Sequence, residues 1–157
     1  MIRQIRFGAP VAQQLVTAAQ ADLAERYGSG DENPVEAVEF DPPEGAFMVA
    51  YLDDQPVACG GWRTLSHYTD GGDDREDVAE IKRMYSVPAV RGRGVAQAVL
   101  HALEDSARER GMKRVVLETG ERNPEAIGFY AKYGYQRITN YGYYKNEPDC
   151  LSFGRDL

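Results

Sequence analysis

A glycine-rich turn between an extended segment and a long amphipathic helix constrains the fold of this chain more than any other feature. The turn lies within residues 88–96 and carries Arg91, Gly92, Arg93 and Gly94 in succession. Glycine allows a tight backbone path without a Cβ, and the helix that starts at once exposes unpaired N–H groups in its first turn. These N–H groups and the two guanidinium groups predict an anion-binding turn.

Two well-known glycine motifs do not fit this turn. A phosphate-binding P-loop needs Lys followed by Ser or Thr after its last glycine, where this chain has Val95 and Ala96. A dinucleotide fingerprint needs a third glycine three residues after Gly94, and that position is Gln97. The turn could also cap the helix without binding any ligand, so the rest of the sequence has to distinguish the two readings.

The pattern of apolar residues predicts one α/β domain over residues 1–157, built on a sheet of mixed direction. Helices are predicted over 10–27, 94–110 and 124–134, the last with Asn123 as its N-cap. Strands are predicted over 47–52, 57–65, 78–87, 114–119, 135–139 and 150–155. Residues 78–87 break strict alternation, which favours a strand with a bulge. Residues 66–77 are predicted to form an acidic loop, in which Gly71 and Gly72 interrupt regular secondary structure.

Composition excludes several classes of function. The chain has 18 Lys and Arg against 25 Asp and Glu, a net charge of −7, which argues against nucleic acid as a partner. No apolar run approaches the length of a membrane span, and no secretory signal follows Met1. Cys59 and Cys150 are far apart and match no metal-ligand spacing, so we expect free thiols, no metal site and a cytoplasmic location.

From about residue 79 to residue 135 the chain resembles the GNAT superfamily of acetyl-coenzyme A-dependent N-acetyltransferases. The family's phosphate-loop pattern of Gln or Arg, two residues, Gly, one residue and Gly or Ala is matched by Arg91, Gly94 and Ala96. Its later signature of Asn, two residues, Ala, three residues and Tyr is matched by Asn123, Ala126 and Tyr130. Both patterns occur in the family's order and on the expected elements.

The resemblance implies a GNAT fold, with a mixed central sheet flanked by helices, and acetyl-CoA as the co-substrate. The pyrophosphate would lie on the main-chain N–H groups of Arg91, Gly92, Arg93, Gly94, Val95 and Ala96. The strand before this loop splays from its neighbour in the family, so the pantetheine arm would pair with the backbone of Met84, Tyr85 and Ser86. Asn123 would contact the cofactor as well as cap its helix.

The resemblance also supplies candidate catalytic residues. An ammonium group of pKa near 10.4 lies about 3.4 units above neutral pH, so removing its proton costs about 4.6 kcal/mol. Some family members place a base at the position of Glu80, although Glu80 could instead be a surface acid or pair with Arg83. Glu118 is a second candidate base. Tyr130 matches the acid that protonates the departing thiolate in the family.

We therefore expect an N-acetyltransferase whose primary amine acceptor attacks acetyl-CoA directly in a ternary complex, since neither cysteine matches a family nucleophile. A sensor of acyl-CoA or a partner-binding module of the same fold is the alternative, and a domain with no cofactor is a second one. The acceptor could be a small molecule or a peptide amine, and a homodimer is possible because many relatives pair. The tyrosines 141, 143 and 144 could line the acceptor site or pack the closing turn, and the acidic residues of 70–77 could attract cations or be solvated.

Overall fold

A computed structural model of the chain describes residues 1–70 and 73–157. Within these residues the helices are α1 (Pro10–Tyr27), α2 (Val95–Glu109) and α3 (Pro124–Lys132), with short 3₁₀ turns at Ala37–Phe40 and Pro88–Val90. The strands are β1 (Ile2–Gln4), β2 (Gly45–Leu52), β3 (Gln55–Thr64), β4 (Tyr68–Asp70), β5 (Asp73–Arg75), β6 (Val78–Ser86), β7 (Arg114–Gly120), β8 (Gln136–Ile138) and β9 (Cys150–Asp156). In this part of the chain, no helix has the length and apolar character needed to cross a membrane.

Seven strands form one mixed sheet in the order β1-β2-β3-β6-β7-β9-β8. Neighbouring strands are antiparallel except β6 and β7, which are parallel. The two parallel strands pair over three positions, from Val78 opposite Arg114 to Glu80 opposite Val116, and then separate. A gap therefore opens in the middle of the sheet, and the predicted mixed α/β sheet is confirmed.

Helices cover both faces of this sheet. Along β2, Met48 and the residues two positions before and after it pack in the hydrophobic core that includes α2. Phe47 and Val49 pack in the core that includes α1. Successive side chains of a strand point to opposite faces, so α1 and α2 lie on opposite sides. The face of α2 that packs on the sheet is fully buried at Val99 and Leu103, and each such side chain stabilises the fold by roughly 1.5–3 kcal/mol.

The predicted bulge in β6 is confirmed. The register between β3 and β6 shifts between Cys59 and Gly61, and Arg83 has a φ of 61°, a left-handed value that is uncommon outside glycine. Gly60 lies at this shift and leaves room for the side chain of Met84, whose sulfur would be 2.3 Å from a Cβ at this position. A bulge bends its strand, so β6 leaves β7 where the gap begins.

The prediction of an acidic loop over residues 66–77 is wrong for residues 68–70 and 73–75, which are strands. Strands β4 and β5 form a short antiparallel hairpin here, in which Tyr68 lies opposite Arg75. The side chain of Tyr68 is 6% exposed and packs against Val78 and Val116, which ties the hairpin to the sheet. Gly71 and Gly72, predicted to interrupt regular secondary structure, lie outside the described residues.

Candidate active site

The glycine turn leads from the end of β6 directly into helix α2. Gly92 and Gly94 both have a φ of 80°, and a Cβ on either would meet no atom within 4 Å, so the turn faces open space. Arg91 holds the turn in place because its Nε donates a hydrogen bond of 3.0 Å to the carbonyl oxygen of Ser86. Its guanidinium carbon lies 5.7 Å from the ring centre of Tyr85.

Backbone N–H groups are available at this turn. No protein group within the described ranges accepts a hydrogen bond from the N–H of Gly92, Gly94, Val95 or Ala96. These donors lie at the N-terminal end of α2, where the helix dipole also favours negative charge. A diphosphate fits here for two reasons. The N–H donors of the turn are available, and there is open space beside both glycines.

The gap between β6 and β7 begins beside this turn. The N–H of Val87 donates to the carbonyl oxygen of Val57 on β3 at 2.9 Å, which fixes how the backbone alternates along β6. Tyr85, opposite Cys59, therefore directs its backbone groups towards β3. Met84 and Ser86 direct theirs towards the gap, whereas the backbone of Tyr85 is turned away from it and the ring of Tyr85 lies next to the guanidinium group of Arg91.

Tyr130 and Asn123 belong to helix α3. Asn123 is its N-cap, as predicted, and its Oδ1 accepts a hydrogen bond of 3.2 Å from the N–H of Ala126. Tyr130 is 6% exposed in the core on the α2 face, with the rings of Phe129 and Tyr135 at 5.1 Å and 5.5 Å. Burial raises the pKa of the Tyr130 hydroxyl well above 10, so the phenol keeps its proton at neutral pH.

Glu80 lies inside the protein, and neither the surface position nor the pairing with Arg83 that its sequence context allowed is correct. The residue is 2% exposed, and its Oε1 accepts a hydrogen bond of 3.0 Å from the Nε of Arg63. The hydroxyl of Tyr141 donates to its Oε2 at 2.6 Å. Both carboxylate oxygens are therefore engaged, and the role of Glu80 as a base stays a prediction.

Asp31 is a site residue that sequence reasoning missed. It follows α1 in a polar loop, where an acid is expected to be solvated, yet its Oδ2 lies 2.7 Å from the Nζ of Lys82. Arg83 contacts the same oxygen, and the hydroxyl of Tyr144 donates to Oδ1 at 2.7 Å. Burial alone would raise the pKa of Asp31, but Lys82, Tyr144 and Arg83 together lower it to about 2.

Glu118, near the end of β7, has a different environment from Glu80. Its Oε2 accepts a hydrogen bond of 3.0 Å from the N–H of Tyr144, whereas its Oε1 is buried without a partner among the described residues. Burial raises the pKa of this carboxyl group, and the nearby charge of Glu80 adds to the effect. Glu118 is thus an acid with spare hydrogen-bonding capacity.

A cavity of about 450 Å³ adjoins these residues on the α1 face of the sheet. Its walls come from the end of α1, the loop after it, both strands that border the gap and the segment before β9, including Tyr27, Asp31, Lys82, Glu118 and Tyr144. The cavity therefore reaches the gap from the face opposite to the one on which Tyr130 packs. Two ligands could meet in the gap, one from the glycine turn and one from this cavity.

Comparison with known proteins identifies the family. Residues 12–135 match the model of the acetyltransferase (GNAT) family. The chain belongs to the GNAT family. It is 28% identical over 144 residues to a protein named IAA acetyltransferase from Azospirillum brasilense. The aligned region covers 92% of this chain and 89% of the relative.

Solved structures confirm the GNAT fold. A Klebsiella pneumoniae protein provisionally named an acyl-CoA N-acyltransferase superposes with a TM-score of 0.80 and 26% identity, over 100% of this chain and 97% of that one. A GNAT family acetyltransferase from Elizabethkingia anophelis with acetyl-CoA bound has a TM-score of 0.67 and 17% identity, over the same shares of the two chains. The expected GNAT membership, fold and acyltransferase class are confirmed, and this chain is an acyltransferase.

Proposed function

We propose that this GNAT protein transfers the acetyl group of acetyl-CoA to a primary amine, by direct attack while both substrates are bound. The observation that carries the proposal is the gap between β6 and β7, which opens beside the free N–H groups of the glycine turn. The family relationship supports the donor, since a GNAT structure of the same fold holds acetyl-CoA. The cavity on the α1 face of the sheet offers a separate route to the gap for the acceptor.

Residues of the turn and of β6 would hold the donor. The N–H groups of Gly92, Gly94, Val95 and Ala96 would bind the diphosphate, whereas that of Arg93 already donates to the carbonyl oxygen of Val90 and its exposed side chain would lie beside them. The backbone of Met84 and Ser86 would pair with the pantetheine arm along the open edge of β6. Acetyl-CoA supplies the acetyl group as a thioester, so an N–C bond forms, a C–S bond breaks and one proton passes from nitrogen to sulfur.

Two acids are candidates for accepting the proton of the amine. Glu80 is the base that the family resemblance implies, and Arg63 and Tyr141 keep its carboxylate at a fixed place on the α1 face. Glu118 lines the cavity, and its Oε1 has no hydrogen-bond partner among residues 1–70 and 73–157. If Glu80 is the base, the acid limb of the pH profile of kcat/KM should shift in Glu80→Gln. If Glu118 is the base, it should shift in Glu118→Gln. An unchanged profile in either variant excludes the substituted residue as the base.

Tyr130 would donate the proton that the departing sulfur needs. The phenol is protonated at neutral pH, as a general acid has to be before it donates its proton. We expect Tyr130→Phe to lower kcat by about 100-fold with little change in the Kd for coenzyme A, since the hydroxyl acts in the transition state. Tyr133→Phe is the matched control, because Tyr133 lies on the same helical segment without contributing to the proposed mechanism.

Release of free thiol from acetyl-CoA in the presence of a panel of primary amines tests the proposed function. The proposal predicts turnover with at least one amine and acetylated amine as the product by mass spectrometry. Tight binding of coenzyme A without turnover on any amine would favour the acyl-CoA-sensing module instead. Equal kcat values for Tyr130→Phe and the parent enzyme would remove Tyr130 from the mechanism.

A further inference from the structure

The acceptor cavity has an unbalanced charge. Its lining carries five carboxylate side chains and two cations, so the net charge of the wall is negative. The acids are Asp31, Glu32, Glu118, Glu147 and Asp149, and the cations are Lys82 and Arg122. A concave site lined mostly by one sign of charge concentrates ligands of the opposite sign.

Both cations of the lining already have a partner. Lys82 lies 2.7 Å from the carboxylate of Asp31, and the Nε of Arg122 lies 3.8 Å from that of Asp149. Within the residues that the structure describes, Glu32, Glu118 and Glu147 form no ion pair with Lys, Arg or His. Three acids of the cavity therefore carry negative charge that no ion pair among the described residues offsets.

Two polar atoms of the lining residues are also without hydrogen-bond partners. Glu118 Oε1 and Tyr27 Oη are buried, and neither finds a donor or acceptor in the described part of the chain. Buried polar atoms in native proteins nearly always have a partner, so Glu118 and Tyr27 each retain hydrogen-bonding capacity that the described part of the chain does not use. An ammonium group has three N–H donors and no acceptor, which matches the acceptor-only carboxylates that dominate the lining.

We infer that the acceptor of this enzyme carries a second positive charge in addition to the amine that is acetylated, and that the acids of the cavity bind this second charge. The inference rests on the proposed function, because it names the class of amine that enters the same gap. Glu32 and Glu147 are exposed residues at the rim and would attract the cation, whereas Glu118 lies closer to the gap on β7. Neutral and anionic amines of the same length would be poor acceptors.

Three primary amines with the same four-carbon chain test this inference. The probes are 1,4-diaminobutane, 1-aminobutane and 4-aminobutanoate, which end in a cation, a methyl group and an anion. We expect kcat/KM to fall by about tenfold at each step in this order, after division by two for the two amines of the diamine. The advantage of the diamine should shrink as ionic strength rises, because salt screens exposed charges.

Variants of the rim acids locate the effect. Glu32→Gln and Glu147→Gln should each lower kcat/KM for 1,4-diaminobutane by about threefold to tenfold and leave that for 1-aminobutane nearly unchanged. Glu109→Gln, at the far end of α2, removes the same charge from an exposed position outside the cavity and should change neither value.

Two failures are distinguishable. Acetylation of 1,4-diaminobutane and 1-aminobutane with equal efficiency, or equal effects of Glu147→Gln and Glu109→Gln, would overturn the second-charge inference and leave the acetyltransferase proposal intact. Absence of acetylation for all three probes and for a wider panel of amines would instead overturn the proposed function itself.

Discussion

Asp31 connects three separate parts of the chain, and its replacement by Asn should measure how strongly they are held together. Its carboxylate contacts Lys82 and Arg83 on β6 and the hydroxyl of Tyr144 before β9. The pKa of Asp31 falls from an ordinary 3.8 to about 2. A shift of this size corresponds to about 2 kcal/mol in favour of the folded state at neutral pH.

Asp31→Asn should lower the free energy of unfolding by somewhat more than this contribution of about 2 kcal/mol. The side chains of Lys82 and Arg83 are 6% and 5% exposed, so the variant leaves two buried cations without their carboxylate. Breaking a buried ion pair costs about 3–5 kcal/mol, and we expect a loss of about 3 kcal/mol in the free energy of unfolding at pH 7. Urea denaturation can follow it through the fluorescence of Trp62, the one tryptophan of the chain, which is 1% exposed.

The pH dependence of this loss gives a second check. A depressed carboxyl pKa stabilises the fold above 3.8, and the benefit disappears as the pH falls towards 2. The difference between Asp31→Asn and the parent protein should therefore shrink by about 1 kcal/mol between pH 7 and pH 3. Asp22→Asn on α1 should cost less than about 1 kcal/mol, because the Asp22 side chain is 33% exposed and its ion pairs with Arg26 and Arg91 are long, at 3.9 Å and 3.6 Å. Equal losses in the two variants, or a deficit independent of pH, would refute the reasoning.

Two further predictions concern buried groups. Arg63→Met leaves the carboxylate of Glu80 buried without its cation, so it should lower the free energy of unfolding by about 3 kcal/mol. The double variant Arg63→Met/Glu80→Gln should recover part of this loss. An Arg63→Met variant as stable as the parent would contradict the buried ion pair. Burial raises the pKa of Cys59 to about 12 and, with the neighbouring Glu118, that of Cys150 to about 11, so a thiol reagent should modify neither in the folded protein at pH 8 and both after denaturation. Rapid modification of either thiol before unfolding would show that its burial is wrong.

Local patterns predicted the part of the fold that faces the donor. The apolar stripe of α2, the Asn123 cap of α3 and the broken alternation of β6 each act within a few residues of sequence, so they could be read without knowing the partners. The glycine turn is of the same kind, because positive φ values at Gly92 and Gly94 are a local property of the backbone. These signals cover the donor side and little of the acceptor side.

The acceptor side depends on pairs of residues that are distant in the sequence. Alternation along β6 could suggest which face Glu80 occupies, but it could not reveal Arg63 as its partner on another strand. Asp31 lies 51 and 52 residues from Lys82 and Arg83, in a loop whose composition is that of a solvated segment. The hairpin β4-β5 was missed for a related reason, since the burial of Tyr68 stabilises it in place of an alternating apolar pattern.

Binding of coenzyme A measured by calorimetry tests the central claim most directly, that the glycine turn binds a diphosphate through its main-chain N–H groups. Gly92 and Gly111 have φ values of 80° and 83°, and a Cβ at either meets nothing within 4 Å, but they lie at opposite ends of α2. Gly92→Asp and Gly111→Asp therefore introduce the same charge and a similar backbone strain, and Asp tolerates this conformation better than most residues.

We predict that the parent protein and Gly111→Asp bind coenzyme A with a Kd below about 1 mM, and that Gly92→Asp weakens binding by at least about tenfold, or 1.4 kcal/mol. Equal affinity of the two variants, or no measurable binding by the parent protein, would contradict the account and leave the turn as a helix cap without a ligand.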